Sequence, residues 1–434
     1  MIKFLSENLT VKNIFFFALI TQTIFFIFFA YAGRNAWLYA DNTFYETPAW
    51  NLASGNRLSI DRSEWEDPYL TNLYYTQHPE ESNNEFIPAA TLPIGYSIFL
   101  AGVYSVFGRN LLAAIVSNLL LLYGFFAAIF ILSKRLFADG LQNKILWVLV
   151  AVFPFWAYWS SKVMSDVLHV TLMSLFFLFF FGNKKNLPII AGIFFGLACL
   201  VRPYPMLLPL FLLAGGFLFK NKFLSVKRVA VIAAIGWLFL GGWMMRNYYW
   251  FGKPMMTSMG PGYGLWLASH RDLIHDYTDD NWVKKERMNL GIRDEHYVED
   301  NAKLFSIALE RIKENPVRYF LTSAANSIRT WVSLGGETTP LAGKLLIGGY
   351  LIFMFISMLY GAWLAFKAKN GVLIGFVIIA FYYTFIFSWL TVEGRYMLPV
   401  RILGFILSSV ALAHFAKRFF IRENDSDLTV ESIG

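Results

Sequence analysis

The sequence predicts an all-α polytopic membrane protein with about ten transmembrane helices and two large outer-face loops that carry interfacial helices. Three observations predict it. Of 434 residues, 57% are hydrophobic and only 15% are charged, too few charges to cover a soluble domain of this size. Apolar runs recur along the chain, separated by short basic segments. The acids are unevenly placed. Once the basic loops fix the topology, only Glu7, Asp139, Glu423, Asp425, Asp427 and Glu431 of the 29 acidic residues fall on the inner side.

The elements follow in order. Lys3 and Lys12 precede the run Ile14–Tyr31. Ala30, Tyr31 and Ala32 have the small-residue spacing of a signal-peptidase site, but the topology needs this run as an uncleaved signal-anchor. A long polar, aromatic-rich segment follows, about 32–110. Within it Leu92–Phe107 is apolar, yet a crossing there would invert every later loop, so it is expected to lie at the outer face. The next spans are Leu111–Ser133, Ile145–Tyr158, Val167–Phe181, Leu187–Leu200, Pro205–Phe219 and Val229–Met245. Their inner ends are marked by Lys134, Arg135 and Lys144, by Lys184 and Lys185, and by Lys220 to Arg228. Several are shorter than the roughly 20 residues a bilayer asks for. Their ends are expected to extend into flanking Trp and Tyr.

The second outer loop runs from about 246 to 344. Leu304, Phe305, Ala308 and Ile312 recur there at helical spacing, with Lys303, Glu310, Arg311 and Lys313 on the other side. This stretch, Asn301–Asn315, and the apolar Val317–Leu334 are both expected at the membrane surface. Leu345–Phe366, Val372–Leu390 and Met397–Phe415 complete the spans, with Lys367, Lys369, Lys417 and Arg418 inside. Residues 1–416 form one domain, and the polar tail 417–434 is expected to be cytoplasmic and disordered.

The net charge of +8 does not indicate nucleic-acid binding, because the basic residues cluster at the ends of apolar runs. The single Cys199 excludes an internal disulfide.

Against this topology a set of short motifs resembles the GT-C glycosyltransferases, and more closely the protein O-mannosyltransferase and aminoarabinose transferase-like group, which uses polyprenyl-phosphate sugars. Asp41, Tyr45 and Ala49 at spacings of four, followed by Ala53, Ser54 and Gly55, resemble the family's first outer loop. Leu92 to Tyr96, continuing to Phe107 and Gly108, is similar to its surface helix. Gly192 to Gly196, then Leu200, Val201, Arg202 and Pro203, resembles a Gly-rich span ending in Arg-Pro. Trp243 to Tyr248, then Phe251 and Gly252, resembles the entry to the second large loop. Gly394 to Pro399 is similar to a late Arg-Tyr-x-x-Pro turn. The pattern departs at Asn42, which stands where a second acid is common, and at Pro88 to Pro93. It departs again at Asp166, where Glu is usual.

Glycosyl transfer from a lipid phosphate needs a base for the acceptor, positive charge for the departing phosphate and a place for the tail. Asp41, just beyond the first span, is the candidate base. The alternative is a solvated acid or helix cap. Asp166, at an outer turn, is the second candidate catalytic acid, against a simple cap shared with Ser165. If a divalent metal is used, Asp41 and Asp166 are its candidate ligands. Arg202, Arg395 and Arg246 lie at outer span ends and can pair bidentately with phosphate oxygens, or simply snorkel to headgroups. Lys162 is a further candidate. Tyr45, Glu85, Trp266, Glu337 and Tyr396 are candidate site-lining residues, with Trp266 able to stack on a sugar. His78 and His270 are read as solvated loop histidines. The Gly-rich stretch 260–266 lacks the strand and the Lys-Ser/Thr ending of a nucleotide loop.

The expectation is a glycosyltransferase in a bacterial plasma membrane, active on the extracytoplasmic side. Its partners would be the bilayer, a polyprenyl-phosphate sugar donor and a protein, lipid or glycan acceptor. A transporter, flippase or polymerase of lipid-linked sugars is the alternative.

Overall fold

The computed structural model describes residues 9–33, 37, 42–64, 66–138, 140–184, 186–258, 262–270, 280–291, 299–332, 341–390 and 394–420. Asp41, Glu337 and the tail from residue 421 lie outside the described residues.

The chain enters as α1 (Val11–Ala32), then folds the first of the two segments expected on the outer side into α2 (Asn42–Ala53), β1 (Ser59–Asp61), α3 (Pro68–Gln77), β2 (Phe86–Pro88) and α4 (Gly95–Phe107). The central helices are α5 (Leu111–Phe137), α6 (Leu141–Val152), α7 (Phe155–Ser160), α8 (Asp166–Phe180), α9 (Leu187–Val201), α10 (Leu208–Phe219) and α11 (Val226–Phe251). The second outer segment holds α12 (Gly262–His270), α13 (Asp280–Asn289), α14 (Glu299–Glu314) and α15 (Pro316–Val332). The chain closes with α16 (Leu341–Lys367), α17 (Gly371–Trp389) and α18 (Leu398–Phe420).

Among the described residues six stretches are long and apolar enough to cross a membrane: they lie in α1, α5, α11, α16, α17, and α18 together with the turn before it from Gly394. The others that the sequence marks as spans are shorter apolar helices. A 15-residue helix such as α8 or α9 is only about 22 Å long at 1.5 Å per residue. Such helices are stable because they sit inside the bundle. Most of α8 is buried, which matches a helix apolar on all sides.

The expected span Ile145–Tyr158 is broken into α6 and α7. Pro154 cannot donate a backbone bond and pushes Phe153 out of the helical region, to φ −101° and ψ 101°. The carbonyls freed by the break are satisfied from another span. The buried Gln22 of α1 donates Nε2 to the Val150 carbonyl at 2.8 Å and to that of Phe153 at 2.9 Å, as a backbone at membrane depth requires.

Close backbone approach fixes two helix crossings. A side chain at Gly196 of α9 would meet the Gly236 Cα of α11 at 3.2 Å, and one at Gly361 of α16 would meet the Leu407 carbonyl of α18 at 2.0 Å. Small residues at such points let apolar helices pack by van der Waals contact.

The architecture is not purely helical. β1 and β2 pair antiparallel, with Ile60 opposite Ile87. Ile60, Ile87, Leu70, Tyr74 and Phe251 form a small core beneath them. Asp67 locks this unit to the second outer segment. Its Oδ1 caps α3 through the Leu70 amide at 3.1 Å, and its Oδ2 accepts from Thr91 Oγ1 at 2.8 Å and Ser258 Oγ at 2.9 Å.

The two helices expected at the surface of the second loop behave differently. Leu304 and Ala308 of α14 are buried against Trp266, Leu267 and Val283 in a separate core. Part of the apolar stripe of Asn301–Asn315 therefore meets protein instead of membrane, a correction to the sequence reading, while Phe305 stays exposed. Helix α15 is inverted. Thr322, Ser323, Asn326 and Thr330 are buried, while Val317, Phe320, Leu321 and Ile328 are exposed. A polar face turned inward and an apolar face turned outward suit a helix bordered by lipid.

His270, at the end of α12, is buried in the α14 core, and burial pushes it down to about 4 from its ordinary value of 6.5. The unfolded form thus binds the proton more tightly. The stability this site contributes is complete above about pH 6.5 and is lost as the pH falls toward 4. The melting midpoint of the wild type is expected to drop between pH 7.5 and pH 5. His270→Phe should flatten that dependence, and an unchanged slope would refute the assignment.

Candidate active site

The break between α9 and α10 builds the centre of the site. Pro203 biases Arg202 away from the helical region, and Arg202 is extended, at φ −147° and ψ 123°. From there its side chain reaches the first turn of α8. Nη2 donates to Asp166 Oδ2 at 2.9 Å and Nε donates to Ser165 Oγ at 3.2 Å. Asp166 is 3% exposed and Arg202 8%. The carboxylate at the helix N-terminus is favoured by the exposed amides there. Ser165 does not cap the helix with its side chain. Its hydroxyl is shared between Arg202 and the Tyr45 hydroxyl, 3.1 Å away.

Tyr396 closes the other side. The Arg202 guanidinium lies 5.3 Å from its ring centre and that of Arg395 lies 5.2 Å from it. Arg395 also stands 5.5 Å from the Trp159 ring, and its Nη2 donates to the Tyr396 hydroxyl at 3.4 Å. The two guanidinium groups are near enough for their charges to repel. Tyr204 packs against Tyr396 at 5.2 Å. One buried carboxylate, two guanidinium groups and three phenol rings thus meet where α2, α8, α9 and the turn before α18 converge.

Lys162 lies at the edge. Its Nζ is 5.6 Å from the Tyr158 ring and would touch a side chain placed at Gly33, at 2.9 Å. Burial lowers its pKa from the ordinary value. The turn 162–165 also receives the start of the first outer segment. The Val163 amide donates to the Trp37 carbonyl at 3.3 Å, and Asn42 Nδ2 donates to the same oxygen at 2.7 Å. Trp37 thus joins this turn to Asn42, the first residue of α2.

The sequence-predicted set therefore divides. Asp166, Arg202, Arg395, Tyr45 and Tyr396 come together, with Lys162 beside them. Arg246 stands elsewhere. Its Nη1 donates to the Ala89 carbonyl at 2.9 Å and to Asn247 Oδ1 at 2.8 Å, and its Nη2 to the Leu58 carbonyl at 3.3 Å. Two of these bonds go to carbonyls of the β-hairpin, which makes Arg246 a staple of that unit. Trp266 is fully buried in the α12–α14 core, so its ring has no face for a sugar. Glu85 is exposed at the start of β2. Among the described residues no three His, Cys, Asp or Glu side chains converge as an ion site. The one buried carboxylate among the described residues of the site is already engaged by a guanidinium, a donor set that does not by itself fit a divalent ion.

Sequence reading missed Ser165 as a bridge, Trp159 and Tyr204. The run of small and aromatic residues before Asp166 carried no motif to single out Ser165 or Trp159.

No family model and no curated protein matches the sequence. Solved structures do. The archaeal oligosaccharyltransferase AglB from Archaeoglobus fulgidus, in complex with an inhibitory peptide and a dolichol-phosphate, is similar at TM-score 0.53 and 14% identity, over 94% of this chain and 50% of that chain. The apo form of the same organism's oligosaccharyltransferase matches at TM-score 0.53 and 13% identity, over 95% of this chain and 51% of that chain. ArnT from Cupriavidus metallidurans bound to undecaprenyl phosphate gives a TM-score of 0.35 at 13% identity, over 90% and 78% of the two chains, too slight a likeness to argue from. This chain spans about half the length of the archaeal enzyme it matches. At these identities the likeness concerns architecture alone: the fold of this chain resembles that of about half of the archaeal oligosaccharyltransferase.

Proposed function

We propose that this protein is a membrane glycosyltransferase that moves a sugar from a polyprenyl-phosphate donor to an acceptor at the outer membrane face. The observation that carries the reading is the buried Asp166–Arg202 pair joined to Tyr45 through Ser165 and flanked by Arg395. In this reading about ten helices cross the bilayer and the two long outer segments cover the site.

Arg202 and Arg395 would hold the donor phosphate and neutralise the charge that grows on it as the glycosidic bond breaks. Fixed donors aimed at developing charge are the strongest single source of rate in such sites. Asp166 orients Arg202 and keeps it from swinging away. Asp41, which precedes Asn42 in the sequence, would take the proton of the acceptor nucleophile as that atom attacks the anomeric carbon. The exposed apolar face of α15 keeps the site at the lipid surface, where a donor with its tail in the membrane can reach it.

The test is transfer of radiolabel from a polyprenyl-phosphate sugar in membranes carrying wild type or Asp41→Asn at equal abundance. Wild type is expected to transfer label, and the variant to fall by about 10²–10⁴-fold, the usual worth of a general base. Equal transfer by both would remove Asp41 from the mechanism. Passage of donor across the bilayer with no lipid phosphate released would replace the enzyme reading with a transporter.

A further inference from the structure

Arg109 lies in the turn between α4 and α5 and grips two carboxylates from two other segments. Its Nε and Nη2 donate to Glu46 Oε1 and Oε2 at 2.8 and 2.6 Å. Its Nη1 and Nη2 donate to Glu64 Oε1 and Oε2 at 2.6 and 2.8 Å. Glu64 Oε2 also accepts from Thr47 Oγ1 at 2.9 Å. Glu46 and Thr47 belong to α2, and Glu64 to the turn after β1, so one side chain ties three stretches of chain together. The Glu46 side chain is only 5% exposed, whereas Arg109 and Glu64 are each 35% exposed. Such planar, two-pronged bonds fix orientation as well as distance.

Helix α2 needs that fixing. It contains Pro48, which removes a helical bond, and its Asn and Thr residues favour helix weakly. Its rotation about its own axis must then come from outside. Tyr45 and Glu46 are consecutive, so they project about 100° apart around the helix. Holding Glu46 on Arg109 holds Tyr45 on Ser165.

We infer that Arg109 is a positioning residue for the glycosyl-transfer site: its fork onto Glu46 and Glu64 sets the rotation of α2 and thereby the Tyr45–Ser165 contact beside Arg202. This rests on the proposed function for its catalytic consequence, though not for the clamp itself. Neither Arg109 nor its carboxylates touches the Asp166–Arg202 pair.

The test uses the full chain in proteoliposomes, with Arg109→Met, Arg109→Lys, Tyr45→Phe and the double variant Arg109→Met/Tyr45→Phe. Two properties are read: hydrogen exchange of amides 42–53, and transfer from an undecaprenyl-phosphate sugar. Arg109→Met should speed exchange in 42–53 by about 10-fold or more while 166–180 and 187–201 stay unchanged. Arg109→Lys should do nearly the same, because an ammonium cannot make the fork. The kcat of Arg109→Met should fall by about 10–100-fold, the scale of a displaced site residue, with the donor KM within about threefold. The double variant should be no worse than the worse single, since both act through one contact. Unchanged exchange in 42–53, or effects that multiply in the double variant, would overturn the inference. If Arg109→Met fails to fold, Glu64→Gln releases only the exposed prong and should give a smaller change of the same kind. If wild type transfers nothing, the proposed function fails, and the exchange result alone decides the clamp.

Discussion

Arg202→Met is expected to abolish transfer and to lower the melting midpoint of the protein at the same time. The two losses have separate causes, and a second variant separates them. Removing the guanidinium leaves Asp166 charged, 3% exposed and without its ion-pair partner. Breaking a buried pair in this way costs about 3–5 kcal/mol, because one charge stays buried and uncompensated. Removing both charges does not carry that penalty. Asp166→Asn/Arg202→Met should therefore recover most of the stability, to within about 1 kcal/mol of wild type, since neutral replacements of buried pairs are often close to neutral in energy. It should not recover transfer. In the proposed reaction the positive charge that would meet the leaving phosphate is still missing, and loss of a fixed donor at developing charge costs about 10²–10³ in rate. Thermal melts and single-turnover transfer on the same preparations read the two effects. A double variant as active as wild type would make the pair purely structural and move the phosphate site elsewhere.

What the sequence made legible is what local rules control. Helix positions followed from apolar runs and basic ends, and the extended backbone at Arg202 followed from Pro203. The break at Pro154 inside an expected span is also a local rule, but its consequence is not. Gln22 reaches carbonyls 128 and 131 residues away, and nothing in the sequence around it announces that task. Periodicity has a similar limit. It showed that residues 301–315 carry an apolar stripe, and it could not say whether lipid or Trp266 covers it. The inverted α15 shows the converse: its apolar residues are spaced for a helix, but which face the protein buries depends on hydrogen bonds such as Tyr319 to the Trp389 carbonyl, at 2.6 Å, and Trp331 Nε1 to Thr384, at 2.8 Å.

The site was legible in the same partial way. Asp166, Arg202, Arg395 and Tyr396 stood out as charged or aromatic residues at span ends, and they meet. Arg246 stood out on the same ground and does not join them. A guanidinium at the end of an apolar run satisfies either a phosphate or backbone carbonyls, and only the path of the β-hairpin decides between the two.

That distinction yields a test of which arginines face the lipid phosphate. Arg246 lies 4.8 Å from the Trp243 ring centre and holds the carbonyls of Leu58 and Ala89, the residues that continue the hairpin beyond its paired strands. In Arg246→Leu the Ala89 oxygen loses a buried donor, at about 1–3 kcal/mol, and the ring loses a cation worth about 0.5–2 kcal/mol. The expected result is a protein less stable by about 1.5–5 kcal/mol, with faster exchange through 58–61 and 86–91. Its affinity for undecaprenyl phosphate, measured well below the melting midpoint, should stay within about twofold of wild type, because no phosphate ligand has been removed. Arg395→Leu should show the opposite balance: a stability loss set by its Trp159 and Tyr396 ring contacts, with an affinity lower by about 10-fold or more, the worth of a charge-assisted phosphate contact. If Arg246→Leu weakens lipid-phosphate binding as much as Arg395→Leu does, the hairpin staple is also a phosphate ligand, and the site extends from the Asp166–Arg202 pair to the base of the outer unit.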